Sequence, residues 1–326
     1  MVPDNEGVLK PAKNIKEILN LVPSLEKLAK VTFIELENRD STNIYPFHWT
    51  KLANKISEVH DEFDGIVITH GTDTMAYTAT AISLALGRGL KIPIIFTGSQ
   101  LPLIDIGTDA KFNLENSMKA IIKAIDENIA EVMIVFNDKV LRANRTIKIS
   151  ESNFSAFNSP SFPYLGIITA IGVQFASIAL KKDNTVSFAP SMEFCSDILA
   201  IDLVPGLKEN ILESILESGL CKSFLLRSLG AGNVPSDGEF SLIPFIDKAV
   251  NKFKIPVLVS TKFIGGSTIM DIYEPGKLAL NAGAISAKDM TDVAAQVKLM
   301  WALAQGYRTK EEVQKIIQTN IVGEVS

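Results

Sequence analysis

Cysteine and histidine are scarce in this chain. Two cysteines, Cys195 and Cys221, and three histidines, His48, His60 and His70, are spread over 326 residues. The cysteines form no Cys-x-x-Cys pair and are too few for a disulfide framework, so they read as two buried thiols. The histidines are isolated and lack metal-ligand spacing, so neither a structural nor a catalytic metal is expected. No apolar run reaches the roughly 18 residues that a membrane-spanning helix needs. Nor is there a long basic stretch: the net charge is -5, and Lys181-Lys182 is followed at once by Asp183. That argues against a phosphate-backbone partner such as a nucleic acid. The opening Met1-Val2-Pro3-Asp4-Asn5-Glu6-Gly7 is polar and has no apolar core segment, so no signal peptide and a cytoplasmic location are expected. The chain contains no Gly-x-Ser-x-Gly elbow and no Gly-x-x-x-x-Gly-Lys phosphate loop. Gly230-Ala231-Gly232-Asn233-Val234-Pro235 lacks the third glycine of a dinucleotide fingerprint.

What is present suits a sizeable core. Hydrophobic residues make up 47% and charged ones 21%, which fits two globular domains. Gly65 to Thr69, Ile92 to Thr97 and Glu131 to Phe136 are nearly continuous apolar runs, as strands covered on both faces should be. Helical spacing lies between them, at Tyr77 to Leu86 and Leu114 to Ile125. This alternation predicts an α/β fold with a mainly parallel sheet. From about Pro160 to Ser196 helical periodicity is lost, which reads as late strands of the first domain plus a linker. Alternation resumes at Ile198 to Leu203, Ser223 to Leu229 and Ile255 to Ser260, with a helix around Ile243 to Phe253. Met290 to Gln305 reads as a helix stopped by Gly306. Thr309, three residues before Glu312, sets a capping box for a last helix through Ile317. The expected architecture is a larger N-terminal domain over 1–175, a linker over 176–197 and a smaller C-terminal α/β domain over 198–326.

Three places carry site chemistry. Thr69-His70-Gly71-Thr72-Asp73-Thr74-Met75 lies between a strand and a helix, where parallel sheets bind ligands. It offers a hydroxyl, a carboxylate and free helix N–H groups, although Asp and Thr there also suit a plain helix cap. Asp40-Ser41-Thr42 follows the strand-like Val31 to Leu36. It reads equally as a carboxylate-binding loop or an ordinary turn. Lys148, in Asn144-Arg145-Thr146-Ile147-Lys148, reads alone as a solvated charge. Beside a carboxylate it would serve as a base or an orienting group.

Together these strings resemble the bacterial-type asparaginase/glutaminase family, cytoplasmic type I branch. Thr69 to Met75 is similar to its hallmark heptapeptide, Thr97-Gly98-Ser99-Gln100-Leu101-Pro102 to its next strand end, Asn113 to the following helix start, and Asp40-Ser41-Thr42 to its substrate loop. Gly230 to Pro235, Ala282 to Ile285, Asp289 to Thr291, Lys298 to Trp301 and Ile321 to Glu324 resemble its C-terminal domain. The resemblance implies hydrolysis of the L-asparagine side-chain amide to L-aspartate and ammonia, with no cofactor, by a homodimer or a dimer of dimers. It places Thr72, Asp73 and Lys148 in a catalytic group. Substrate contacts are expected from Asp40, Ser41, Thr42, Thr72, Asp73 and Ser99. Family members open with a strand followed by Thr-Gly-Gly-Thr, whose loop carries the primary nucleophile. Met1 to Gly7 resembles the sequence just after that loop, so the opening strand and nucleophile are expected to be absent and turnover impaired. Two rival expectations are an asparaginase-like subunit of an archaeal glutamyl-tRNA(Gln) amidotransferase and a non-catalytic amino-acid-binding homologue.

Overall fold

The structure, a computed structural model, describes residues 2–3, 9–10 and 21–326. The expectation of a missing opening strand and nucleophile concerns a segment outside the described residues. The chain divides into two compact units, Met1–Met192 and Glu193–Ser326.

In the first unit a two-stranded ladder pairs β1 (Val2–Pro3) with β2 (Leu9–Lys10). Among the described residues the main sheet has six strands, in the order β10 (Gly172–Phe175), β9 (Gly166–Thr169), β6 (Lys139–Arg142), β5 (Val132–Phe136), β4 (Ile94–Thr97), β3 (Ile66–Thr69). Its β3 (Ile66–Thr69), β4 (Ile94–Thr97) and β5 (Val132–Phe136) run parallel. Parallel neighbours need crossovers, and α3 (Met75–Leu86) and α4 (Ala110–Asp126) supply them. The sheet is mixed, because β6 (Lys139–Arg142), β9 (Gly166–Thr169) and β10 (Gly172–Phe175) continue it antiparallel. A separate ladder pairs β7 (Ile147–Lys148) with β8 (Phe157–Asn158). Upstream lie α1 (Ser24–Leu28) and α2 (Pro46–Val59).

Burial explains these elements. Strands β4 and β5 are buried throughout, which matches their unbroken apolar sequence. Helix α3 buries every residue but Tyr77, and its Ala, Thr and Ser side chains let it pack closely. Helix α4 buries Ala110, Asn113, Asn116, Ser117, Ala120, Ile121 and Ala124, a helical stripe that is polar at its start and apolar further on. Ala120, Ile121 and Ala124 join Ile95, Met133 and Val135 in one core cluster.

The sequence misleads at Val31 to Leu36. No strand forms there, and Phe33 and Ile34 are 37% and 45% exposed. Alternation marks a face, but a strand also needs a neighbour to take its backbone hydrogen bonds. Among the described residues this segment has no ladder partner.

The second unit holds a four-stranded parallel sheet, β11 (Ile198–Asp202), β12 (Ser223–Ser228), β13 (Val257–Thr261) and β14 (Ile285–Ser286), in chain order. Its helices are α5 (Glu209–Glu217), α6 (Ile243–Asp247), α7 (Glu274–Asn281), α8 (Asp292–Ala304) and α9 (Lys310–Gln318). The helix read over Ile243 to Phe253 is α6 followed by a π turn, Lys248–Lys252. Alternate strand residues feed two cores, as a pleated strand requires. Phe224, Leu226, Val257 and Val259 pack with Phe245 and Ile246, whereas Leu225 and Leu258 pack with Ala294 and Leu299. The capping box at Thr309 and Glu312 forms as its spacing predicts. Among the described residues no helix is long and apolar enough to cross a membrane.

Candidate active site

Strands β3 and β4 end level with each other, Thr69 beside Thr97. The pairing continues past the strands, with the His70 N–H donating to the Thr97 carbonyl at 2.9 Å. Glycine is required at two points nearby. A Cβ at Gly98 would run into the His70 carbonyl. A Cβ at Gly71 would lie 2.6 Å from Ser41 Oγ and 2.7 Å from Ser41 Cβ. This close approach seats the Ser41–Asn43 turn on the chain leaving β3, and Ser41 is only 5% exposed. The Thr74 hydroxyl donates to the Ser41 carbonyl at 2.7 Å.

The Asp40 carboxylate accepts from the Thr42 N–H at 2.8 Å and so caps that turn. The Thr42 hydroxyl reaches Asp73 Oδ2 only at 3.5 Å. Ser99 folds its hydroxyl into its own loop, donating to the Leu101 carbonyl at 2.7 Å.

Lys148 arrives from β7, pairing with Phe157 across the β7–β8 ladder. Phe157 is buried against Phe136, with ring centroids 4.9 Å apart. The ladder therefore carries Ile147 inward and leaves Lys148 at the ends of the main strands. Its Nζ donates to Thr72 Oγ1 at 2.8 Å and to Asp73 Oδ1 at 2.6 Å. The lysine side chain is 17% exposed and the aspartate 60%. Thus the structure brings Thr72, Asp73, Lys148 and, more loosely, Thr42 together. It ties Ser41 to them by packing, and turns the Asp40 and Ser99 polar groups onto their own backbone.

His70 sits under the same loop. Its Nδ1 lies 2.7 Å from the Gly71 carbonyl, and Nε2 is buried without a hydrogen-bond partner. Burial pushes its pKa below the ordinary histidine value, against a smaller opposing effect of the Gly71 carbonyl. A neutral ring donating from Nδ1 satisfies these contacts.

Three residues were not expected in the site, although Gln100 and Asn113 lie in strings that carry the family resemblance. Gln100 Oε1 lies 3.4 Å from the Thr72 hydroxyl. Asp109 and Asn113 hold the loop that carries Gln100. Their signal was polar residues at helical spacing, 109, 113 and 116, on a helix whose core-facing stripe should be apolar.

Lys148 thus joins a hydroxyl and a carboxylate at the ends of parallel strands, a grouping suited to polarising a hydroxyl. Comparison with known proteins gives the family. Residues 1–180 match the "Asparaginase, N-terminal" domain and residues 197–317 the "Glutaminase/Asparaginase C-terminal domain". The chain is 33% identical over 318 residues to the L-asparaginase of Thermococcus kodakarensis, spanning 97% of this chain and 93% of that protein. A solved structure of the thermostable L-asparaginase from Thermococcus kodakarensis superposes with a TM-score of 0.86 at 31% identity, covering 100% of this chain and 95% of that one. A glutamyl-tRNA(Gln) amidotransferase subunit of Aeropyrum pernix is 31% identical over 338 residues, spanning 98% of this chain and 75% of that protein. The chain belongs to the asparaginase family and is an amidohydrolase.

Proposed function

We propose that the chain hydrolyses the side-chain amide of L-asparagine to L-aspartate and ammonia. One observation carries this reading: a single lysine ammonium lies within hydrogen-bond distance of both the Thr72 hydroxyl and the Asp73 carboxylate. A threonine hydroxyl is almost never ionised near neutral pH, so it needs a polarising neighbour. Lys148 supplies one, and Asp73 holds Lys148 in place.

Asp73 has a second task in this reading. Its carboxylate is 60% exposed, so it can pair with the ammonium of an incoming amino acid while Oδ1 keeps Lys148. The Thr42 hydroxyl and the Ser41 turn would meet the substrate's α-carboxylate, with help from the N–H groups that begin α3. Attack on the amide carbon needs donors for the developing oxyanion, and backbone N–H groups of these loops suit that work. We further propose a homodimeric assembly, located in the cytoplasm, with no cofactor. The resemblance of Asp40-Ser41-Thr42 to the type I loop supports the location.

Ammonia release from L-asparagine by the purified 1–326 chain, alone, tests the reading. Turnover without a second protein or tRNA separates it from an amidotransferase component. Binding of L-asparagine or L-aspartate with no ammonia release would overturn it in favour of an amino-acid-binding protein.

A further inference from the structure

Asp109 stands at the start of α4, where an aspartate ordinarily caps its own helix. Here it does not: no side-chain cap bond forms. Its carboxylate, 8% exposed, turns back instead to accept the Gln100 N–H on both oxygens, at 3.1 and 3.0 Å, and the Leu101 N–H at 3.1 Å. It also accepts from Asn113 Nδ2 at 3.1 Å. Asn113, fully buried, donates to the Gly98 carbonyl at 2.9 Å and accepts the Asn137 N–H at 2.9 Å. Asn116 donates to the Asn137 carbonyl at 3.1 Å. The first turns of α4 thus bury a polar face against the loops that follow β4 and β5. Such a face costs stability unless its groups are paired, and when paired it holds its surroundings rigidly.

What it holds is the loop carrying Gln100. The Gln100 Nε2 donates to the Asn153 carbonyl at 3.2 Å and reaches the Ser150 carbonyl at 3.5 Å. Flipping the amide would set its oxygen against those two carbonyls, so its Oε1 must face Thr72. The Lys148 ammonium has donors only, so it occupies a lone pair of Thr72 Oγ1. The hydroxyl's own proton must therefore point elsewhere, and Gln100 Oε1 is within its reach at 3.4 Å.

We propose that Asp109 is a positioning residue: by clamping the Gln100 and Leu101 amides it sets the Gln100 carboxamide, which directs the Thr72 proton away from Lys148. This leaves the second lone pair of the Thr72 oxygen free to accept a hydrogen bond from the attacking group. The proposal rests on the amide-hydrolysis reading, in which Thr72 faces the reacting atoms. Asp109 itself touches neither Thr72 nor Lys148 and acts through Gln100.

The test is a double-mutant cycle on the 1–326 chain, with Asp109→Ala, Gln100→Met and the double variant, beside a crystal structure of Asp109→Ala. Each single variant should lower kcat on the order of 10- to 100-fold with KM held within about threefold, because misplacement near the reacting atoms acts on the chemical step. The double variant should be no worse than Gln100→Met, and Asp109→Asn, which keeps one acceptor oxygen, should recover part of the loss. In the Asp109→Ala structure, Gln100 Oε1 should lie beyond about 3.5 Å of Thr72 Oγ1, outside hydrogen-bond distance. Losses that multiply in the double variant, an unchanged kcat, or an unmoved Gln100 would each overturn the proposal. If the unsubstituted chain releases no ammonia, the amide-hydrolysis reading falls, and the Asp109→Ala structure alone decides whether Asp109 positions Gln100. Should Asp109→Ala fail to fold, Asp109→Asn takes its place in the cycle and in the crystal.

Discussion

Lys148 joins the other two members of the cluster, and its geometry lets the catalytic role proposed for it be tested apart from stability. The pair with Asp73 is half open to water, 17% and 60% exposed, and exposed ion pairs contribute about 0–1 kcal/mol to folding. Lys148→Met keeps the length and the apolar stem but removes every donor. Its melting temperature should therefore stay near that of the unsubstituted chain, while kcat/KM for L-asparagine falls on the order of 10²- to 10⁴-fold, the range for loss of a proton-handling group. Steady-state ammonia release beside a thermal melt reads both quantities. Near-normal turnover would remove Lys148 from the mechanism. His70 gives a second residue-scale expectation. Burial holds its folded pKa below the ordinary value of 6.5. Between the folded pKa and 6.5 the unfolded chain binds more proton than the folded chain does. Stability is therefore complete above that value and is lost as pH falls towards the folded pKa. The His70 Cε1 proton, followed by NMR, should show the ring less than half protonated at pH 6.5; a majority of charged rings there would contradict the burial argument.

The elements around the site differ in how readily sequence reveals them. Strands β4 and β5 were legible because buried parallel strands are written as continuous apolar runs, and β3, only half-buried, is written in the same way. Helix α4 begins at Ala110, ahead of the reading at Leu114, because its first two turns bury Asn113, Asn116 and Ser117 beside a single apolar residue, Ala110. Val31 to Leu36 shows the limit of periodicity: an apolar pattern is local, but a strand partner is not. Lys148 shows the same limit from the other side. Its depth is set by pairing with Phe157, nine positions away, and its partners are Thr72 and Asp73, far off in sequence. Gly71 could be seen as part of a motif, but not that it makes room for Ser41. The contact between the Ser41–Asn43 turn and the chain after β3 carries its own prediction. Gly71→Ala would place a methyl 2.7 Å from Ser41 Cβ, so rotating the serine hydroxyl cannot relieve it and the turn must move. Overpacking of this kind costs about 1–3 kcal/mol. Urea denaturation should show that loss, and Ser41→Gly in the same chain should restore most of it. In the reading where Ser41 meets the substrate, affinity for L-aspartate should stay weak in the double variant. Recovery of both together would mean that Ser41 only packs.

Across the whole molecule, each unit has a core made of its own residues, and the second is closed by a charge rather than an apolar side chain. Lys298, in the middle of α8, is fully buried, and its Nζ donates to Glu324 Oε1 at 2.5 Å and to the Ile317 and Thr319 carbonyls at 2.9 and 2.6 Å. Glu324, equally buried, accepts the N–H groups of Ile321 at 3.0 Å and Val322 at 2.8 Å. This arrangement draws the end of α9 and the terminal tail onto α8. It differs from the Lys148 pair in one decisive respect, the absence of water to take over when a partner is lost. Lys298→Met leaves the Glu324 carboxylate buried without its cation, a loss of about 3–5 kcal/mol. Replacing both residues by apolar ones should not recover it all, since two N–H groups and two carbonyls lose these partners at about 1–3 kcal/mol for each left unpaired. Hydrogen exchange should locate the damage. In Lys298→Met the amides of α8 and α9 should lose protection first, while those of β4 and β5, whose core cluster with α4 lies wholly in the first unit, keep theirs. Equal loss in both sets would show that the two units open together and that the lock in the second stabilises the first as well.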